Sequence, residues 1–264
     1  MNIGFTKMHG LGNDFVVIDN INGKIVLSKE QIIFLCDRNK GIGGDGVILV
    51  ESSEKGDCFM NYYNSDGTLA EMCGNGVRCV AKFLKDNFSK NKTKFTIDTR
   101  AGTKEIKYND DHTFSVNMGK AVFVHTDFPD KNTKLEGFDF NFVSVGNPHA
   151  ITFVKDLDKY DLPTLGPKIE NNKIFPNKIN VEFVEQKSSN EFKVKVWERG
   201  CGATLACGTG ACAVYAAARK YKNADVELII ELPGGKLYMS ENEQGDIIMR
   251  GPAVSVFSGI VEVV

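Results

Sequence analysis

Two stretches decide how this chain folds. One is Met72-Cys73-Gly74-Asn75-Gly76, running on into Val77-Arg78-Cys79-Val80-Ala81. The other is Ala206-Cys207-Gly208-Thr209-Gly210, running on into Ala211-Cys212-Ala213-Val214. Each sets a cysteine in a Cys-Gly-x-Gly frame at the start of a helical pattern, and the two cysteines lie 134 positions apart. The same offset relates Gly12-Asn13 to Gly146-Asn147, Gly46 to Asn180, and Asn64 to Glu198. Gly12-Asn13 and Gly146-Asn147 both lead into apolar runs, Phe15–Ile18 and Ala150–Val154. This repeat predicts a pseudo-twofold pair of domains, each offering one thiol from the same structural place. A ligand in a cleft between them would face a thiol on either side, which suits proton transfer at a stereocentre.

The 264 residues accommodate two domains of about 130 residues each. Hydrophobic residues make up 42% and charged residues 25%, enough for a real core in each half. Net charge is −2 with no block of like charges, which argues against nucleic acid or an anionic membrane as partner. No segment approaches the ~18 apolar residues needed to span a bilayer. The N-terminus lacks the pattern of a signal peptide. Seven cysteines are an odd number and too sparse for a disulfide scaffold. Reduced thiols and a cytoplasmic location are the expectation.

In the first half the pattern predicts strands near 2–8 and 15–19, joined by the turn Gly10-Leu11-Gly12. A helix is expected over 28–37, with Ser28 as N-cap, Gln31 completing a capping box, and Ile32, Leu35 and Cys36 facing inward. Strands Val47–Val50 and Cys58–Tyr63 follow, the second entering the turn Asn64-Ser65-Asp66-Gly67. The first key helix is expected over 75–88, with Val77, Val80, Ala81 and Leu84 buried and Phe88 continuing the stripe. Strands are expected at Lys94–Asp98 and Thr113–Met118.

Residues 123–140 look like a polar linker. The second half then predicts a strand near 142–145, the turn Gly146-Asn147-Pro148-His149, a long loop, and strands near 180–185 and 191–198. A helix over 208–221 and strands near 226–232, 236–240 and 247–250 complete it. The terminal segment Val254–Val264 alternates as a strand and is expected to return to the first half.

A thiol at a helix N-terminus gains from the backbone dipoles and free N–H groups, which favour the thiolate. That places Cys73 and Cys207 as candidate acid/base groups, with thiol pKa values expected to fall toward neutrality. Glycines after each cysteine let backbone N–H groups approach a carboxylate. Two buried core cysteines at helix caps are the plain alternative, but repetition of the frame favours chemistry. Cys36, Cys58, Cys79 and Cys212 fall in apolar patterns and are expected in the core. No Cys-x-x-Cys pair exists and the cysteine spacings do not match metal-ligand loops, so no metal is expected. The glycine loops at 10–12 and 41–46 match neither nucleotide-binding fingerprint.

The chain resembles the diaminopimelate epimerases, of the cofactor-independent amino-acid racemase group. The resemblance rests on Met8-His9-Gly10-Leu11-Gly12-Asn13-Asp14-Phe15, Met72 to Gly76, Gly146-Asn147-Pro148-His149, Trp197-Glu198-Arg199-Gly200, Ala206 to Ala211, and Arg250-Gly251-Pro252-Ala253. It implies an α/β (α+β) fold of two pseudo-symmetric domains, each a curved mixed sheet around a central helix. The domains it implies are 1–118 plus 253–264, carrying Cys73, and 119–252, carrying Cys207.

It further implies epimerisation of diaminopimelate by the thiol pair Cys73 and Cys207, supported by Glu198 and His149. Substrate contacts would come from Asn13, Asn64, Gly74, Asn75, Asn147, Asn180, Glu198, Arg199, Gly208 and Thr209. No pyridoxal or other cofactor and no metal are implied; the partners implied are the small-molecule substrate and a second copy in a homodimer. A racemase for another amino acid, such as histidine, is the alternative. Some family members carry Gln where this chain has Gly46, and Phe257 stands where others place a dimer-interface tyrosine.

Overall fold

The computed structural model describes residues 1–129 and 133–263. The chain forms two compact units. One is Met1–Asn117 together with the segment from Gly251 onward; the other is Met118–Arg250.

The first unit begins with strand β1 (Asn2–Gly10) and strand β2 (Asn13–Asn20). Between them Leu11 and Gly12 take positive φ angles of 56° and 84°. His9 Nδ1 accepts the Gly12 N–H at 3.2 Å, so this histidine serves the turn. Helix α1 (Lys29–Cys36) has Ser28 as N-cap with the expected capping box to Gln31, and it buries Ile32, Leu35 and Cys36. Strands β3 (Gly46–Glu51) and β4 (Cys58–Asn64) lead to helix α2 (Gly74–Asn87), then β5 (Lys94–Asp98), β6 (Lys104–Tyr108) and β7 (Phe114–Gly119).

The second unit contains β8 (Thr133–Leu135), β9 (Phe138–Ser144), β10 (Pro148–Val154), helix α3 (Leu162–Glu170), β11 (Asn180–Gln186), β12 (Glu191–Glu198) and β13 (Gly202–Thr204). Helix α4 (Gly208–Tyr221) and strands β14 (Leu228–Leu232), β15 (Gly235–Glu241) and β16 (Ile247–Gly251) complete it. The last strand, β17 (Val254–Glu262), pairs antiparallel with β1, as the alternating pattern requires of a strand seeking an edge.

The repeat extends to strand register. In the first unit β2 and β3 are parallel with Phe15 opposite Gly46, and β3 and β4 are antiparallel with Val47 opposite Tyr63. In the second, β10 and β11 are parallel with His149 opposite Asn180, and β11 and β12 antiparallel with Val181 opposite Trp197. Every one of these partners is displaced by the same 134 positions. Pairing continues in one order in both units: antiparallel, parallel, antiparallel, parallel, then two antiparallel steps.

Each mixed sheet packs on its own central helix. All residues from Gly74 to Ala81 are buried in α2, which touches β1, β2, β5, β6 and β17. All residues from Gly210 to Ala218 are buried in α4, which touches β9, β10, β11, β14 and β15. The C-terminal turns of α2 reach solvent with Asp86 and Asn87, while the Ala-rich run of α4 permits close approach of the strands.

The structure differs from the sequence-based expectations in three places. The long loop expected after His149 contains most of strand β10 and also helix α3, the latter disguised by Pro163, Gly166 and Pro167. Pro163 sits in the first turn where it costs nothing, and Gly166 lies where an added Cβ would meet the Trp197 ring 2.4 Å away. Phe88 does not continue the buried stripe of α2; it is the half-exposed C-cap, stacked edge-on against Phe83. The span 123–140 is not all linker, since β8 and the start of β9 lie in it and bury Leu135 and Phe140. Residues 130–132 of that span, and Val264 of the expected terminal strand, lie outside the described residues. No helix among the described residues is long and apolar enough to cross a membrane.

Candidate active site

The two half-sites form where each Cys-Gly-x-Gly frame turns from extended chain into helix. Cys73 and Cys207 are the N-cap residues of α2 and α4, with extended backbone angles (φ −139°, ψ 120° and φ −117°, ψ 112°). Both therefore stand beside the free N–H groups of a helix start, where negative charge is favoured.

In the first unit, Cys73 Sγ donates to Asn13 Oδ1 at 3.4 Å. Asn75 Nδ2 donates to the same oxygen at 3.1 Å, so Asn13, Cys73 and Asn75 meet at one point. Asn13 lies at the start of β2 and its own amide donates to Asp45 Oδ2 at 2.7 Å. Arg78 was not among the expected site residues, yet it organises this half. Its side chain is fully buried one turn into α2, donating to Asn75 Oδ1 at 2.8 Å, Gly74 O at 3.3 Å and Pro252 O at 3.1 Å. Asn64 ends β4 and donates to Thr68 Oγ1 at 3.0 Å, within its own turn.

Behind this half lies an ion network. Lys7 reaches Asp14 at 2.6 Å, and Arg38 forks onto both Asp14 oxygens at 3.0 and 2.8 Å while also bonding Asp45. Burial alone would raise the Asp14 pKa, but bonds from Arg38 and Lys7 outweigh it and hold the carboxyl below its ordinary value. Gly46 cannot be another residue on this backbone. A Cβ there would meet Tyr63 O at 2.4 Å and the Tyr62 ring at 2.5 Å. The absence of a polar side chain at 46 thus follows from packing.

In the second unit, Cys207 Sγ accepts the Gly210 N–H at 3.4 Å and lies 3.6 Å from Thr209 Oγ1. Asn180 is buried between backbone groups, donating to Pro148 O at 2.8 Å and accepting from Arg199 N at 2.9 Å. Its side chain ties β10 to the turn after β12. The Arg199 guanidinium donates to Asn177 O at 3.0 Å. Glu198 accepts from Thr204 Oγ1 at 2.5 Å.

His149 is fully buried, its Nδ1 2.6 Å from Glu182 Oε1 and its Nε2 3.0 Å from Asn147 Oδ1. Thus Asn147, His149, Asn180, Glu198 and Cys207 gather in this half, and Glu182 joins them without having been expected. Its signal was a lone acid in Asn180-Val181-Glu182-Phe183-Val184, a run whose other members read as buried strand.

The electrostatics of Cys207 depart from expectation. Burial first, then the facing carboxylates of Glu198 and Glu182, push its thiol pKa well above the ordinary value, against the smaller help of Thr209 and the Gly210 N–H. Helix-terminus stabilisation loses here to desolvation plus like charge. Glu198 is itself raised, by burial first, against its hydrogen bonds from Thr204 and Cys207. The cysteines expected in the core behave as such: burial lifts Cys36 to about 11 and Cys58 and Cys79 each to about 12.

Comparison with known proteins follows the same residues. The family model described as diaminopimelate epimerase matches residues 5–124 and 141–256, which include both cysteines. A diaminopimelate epimerase of Leptospira biflexa is 44% identical over 280 aligned residues, covering 100% of both chains. One from Methanococcus maripaludis is 42% identical, covering 98% of this chain and 99% of its own. Among solved structures, a Bacillus anthracis phenazine biosynthesis protein of the PhzF family superposes with a TM-score of 0.74 at 20% identity over 100% of both chains. A hydroxyproline epimerase from Agrobacterium vitis superposes with a TM-score of 0.71 at 14% identity, covering 98% of this chain and 92% of its own. These structures share the two-domain fold.

Proposed function

The chain belongs to the diaminopimelate epimerase family, and on that premise we propose how its residues divide the work of the reaction. It is an isomerase that interconverts LL-2,6-diaminoheptanedioate and the meso isomer, a step serving lysine biosynthesis. Inversion at the α-carbon needs one group to remove the proton from one face and another to return a proton to the opposite face. Cys73 and Cys207 fill these roles, one as thiolate and one as thiol, exchanging them when the reaction reverses. The observation that carries this assignment is the repeated frame itself. Two halves with the same register each place one thiol at the N-cap of a central helix.

The α-proton of an amino acid is weakly acidic, so the developing carbanion needs fixed positive partners. Backbone N–H groups at Gly74-Asn75 and Gly208-Thr209 take the carboxylate of the reacting centre, at the positive ends of α2 and α4. No cofactor enters this scheme. Asn13, Asn64, Asn147, Asn180 and Arg199 bind the ammonium groups and the distal carboxylate. Glu198 and His149 support Cys207. The protein acts in the cytoplasm as a homodimer, paired through the face of β17 that leaves Val256, Phe257 and Ile260 exposed. Sedimentation of the Phe257→Asp variant as monomer, against dimer for the parent, supports that pairing.

The test of the reaction is proton NMR of reduced protein with LL-diaminopimelate in deuterated water, without added pyridoxal phosphate. Loss of the α-proton signal with growth of the meso isomer is expected. No exchange, alongside exchange of another amino acid such as histidine, would overturn the substrate.

A further inference from the structure

Behind Cys207 lies a charged group that the thiol-pair scheme does not use. In the parallel pair β10–β11, His149 stands opposite Asn180, and Glu182 is two residues on, so alternation puts His149 and Glu182 on one face. Both strands pack on α4, and Glu182 reaches its first turn at Gly210. Both side chains are fully buried, with Glu182 Oε1 2.6 Å from His149 Nδ1. The other carboxylate oxygen, Oε2, is buried without a hydrogen-bond partner among the described residues. With one oxygen on the ring and the other unpartnered, this buried carboxylate is only partly compensated, which is costly.

The surroundings show how closely the acid approaches the thiol. A Cβ added at Gly210 would lie 2.9 Å from Glu182 Oε1 and 3.3 Å from Cys207 Sγ. Glycine at 210 therefore opens the space in which carboxylate and thiol sit side by side. On the far side of the ring, His149 Nε2 engages Asn147 Oδ1 at 3.0 Å. This contact ties the side-chain amide of Asn147 to the ring. The charged groups that face Cys207, among the described residues, are Glu198 of β12 and Glu182 of β11, with His149 of β10 beside them.

We propose that Glu182 is a positioning residue of the Cys207 half-site: it fixes His149, through it the amide of Asn147, and it sets a carboxylate against the thiol that keeps Cys207 protonated until it donates. The inference rests on Cys207 being one of the two proton-transfer groups. In that scheme a thiol waiting to donate needs an environment that resists ionisation, and a neighbouring anion provides it.

Two substitutions separate the two duties. Glu182→Gln keeps an acceptor for His149 Nδ1 and removes the charge. Its basic limb of kcat/KM against pH, where the donating thiol ionises, is expected to move to lower pH by about one unit, with KM little changed. Glu182→Ile, which copies Ile48 at the matching place in the first unit, also releases His149; KM is then expected to rise along with the same pH shift. A pH profile and KM identical to the parent in both variants would overturn the proposal. Should either variant fail to fold, nitrogen-15 NMR of histidine-labelled parent protein decides. The His149 nitrogen facing Glu182 is expected to carry a proton across the active pH range, and a bare Nδ1 would sink the idea. Cys207→Ala is the control: if it still epimerises, the two-thiol scheme fails, whereas an inactive Cys207→Ala beside an unaltered Glu182→Gln condemns Glu182 alone.

Discussion

The two halves carry the same thiol at the same helix start, yet opposite charges lie behind them. The first turn of α2 is held by the buried guanidinium of Arg78, whose counterpart in the repeat is the fully buried Cys212. The first turn of α4 is backed by the buried carboxylate of Glu182, whose counterpart is the fully buried Ile48. Backbone register and thiol are thus repeated, while the side chains behind them are not. A buried cation favours a thiolate nearby and a buried anion favours the thiol. Fold symmetry therefore sets a thiol at each helix start, and departures from symmetry give the two thiols unlike surroundings.

The harshest way to break the comparison is to remove either thiol. Cys73→Ala and Cys207→Ala are each expected to lower kcat/KM by about a thousandfold or more, since neither partner can serve both faces. A variant turning over at near-parent rate in a coupled assay would end the two-thiol scheme.

Next comes the buried cation. Arg78→Met removes the bonds to Gly74 O, Pro252 O and Asn75 Oδ1, and should cost about 3 kcal/mol in urea unfolding. Unfolding at the parent's midpoint would show that Arg78 is not the tie that organises α2.

A finer comparison uses the matched glycines 76 and 210. A Cβ at Gly76 meets the flexible end of Met60 at 2.7 Å, which can swing aside, whereas at Gly210 it meets the fixed Glu182 carboxylate and the Cys207 sulfur. Gly210→Ala should therefore lose about tenfold in kcat/KM while Gly76→Ala stays within about twofold. Equal losses would mean that crowding of the helix start, not the acid behind it, sets the cost.

Acid should sharpen the contrast least, but with opposite signs. Asp14 in the first unit has a depressed pKa. Its stabilisation is present above its ordinary value of 3.8 and is lost as pH falls through the lower folded value. Glu198 in the second unit has a raised pKa, so its buried charge weakens the fold above 4.5, and acidification through the higher folded value relieves it. Hydrogen exchange read segment by segment is expected to show β12 gaining protection as pH drops toward 4.5, and β2 losing it only below 3.8. The reverse order would contradict these assignments.

Much of this was legible in the chain. The capping box at Ser28 and Gln31, both central helices and most strands are local features, written in contiguous residues. Helix α3 was hidden because its two prolines and a glycine speak for a loop, while its support is distant in sequence: Leu162 and Ile169 enter the core and the Trp197 ring packs against Gly166. The half-sites were legible as far as repeated motifs reach. Cys73, Asn13 and Asn75 meet, as do Asn147, His149, Asn180, Glu198 and Cys207. Arg78 and Glu182 were missed because a charged residue in an apolar run gives no sign of which distant groups will surround it.

The sequence by itself determined the repeat, the helices with their caps, and the pair of thiols at matched helix starts, because each depends on neighbours a few residues apart. The tertiary structure decided what those thiols are. Burial of Cys207, the approach of Glu182 and Glu198 to its sulfur, and the seating of Arg78 under Pro252 all join residues far apart in the chain. Desolvation and Coulomb energy depend on distance in space, and no local pattern encodes that distance.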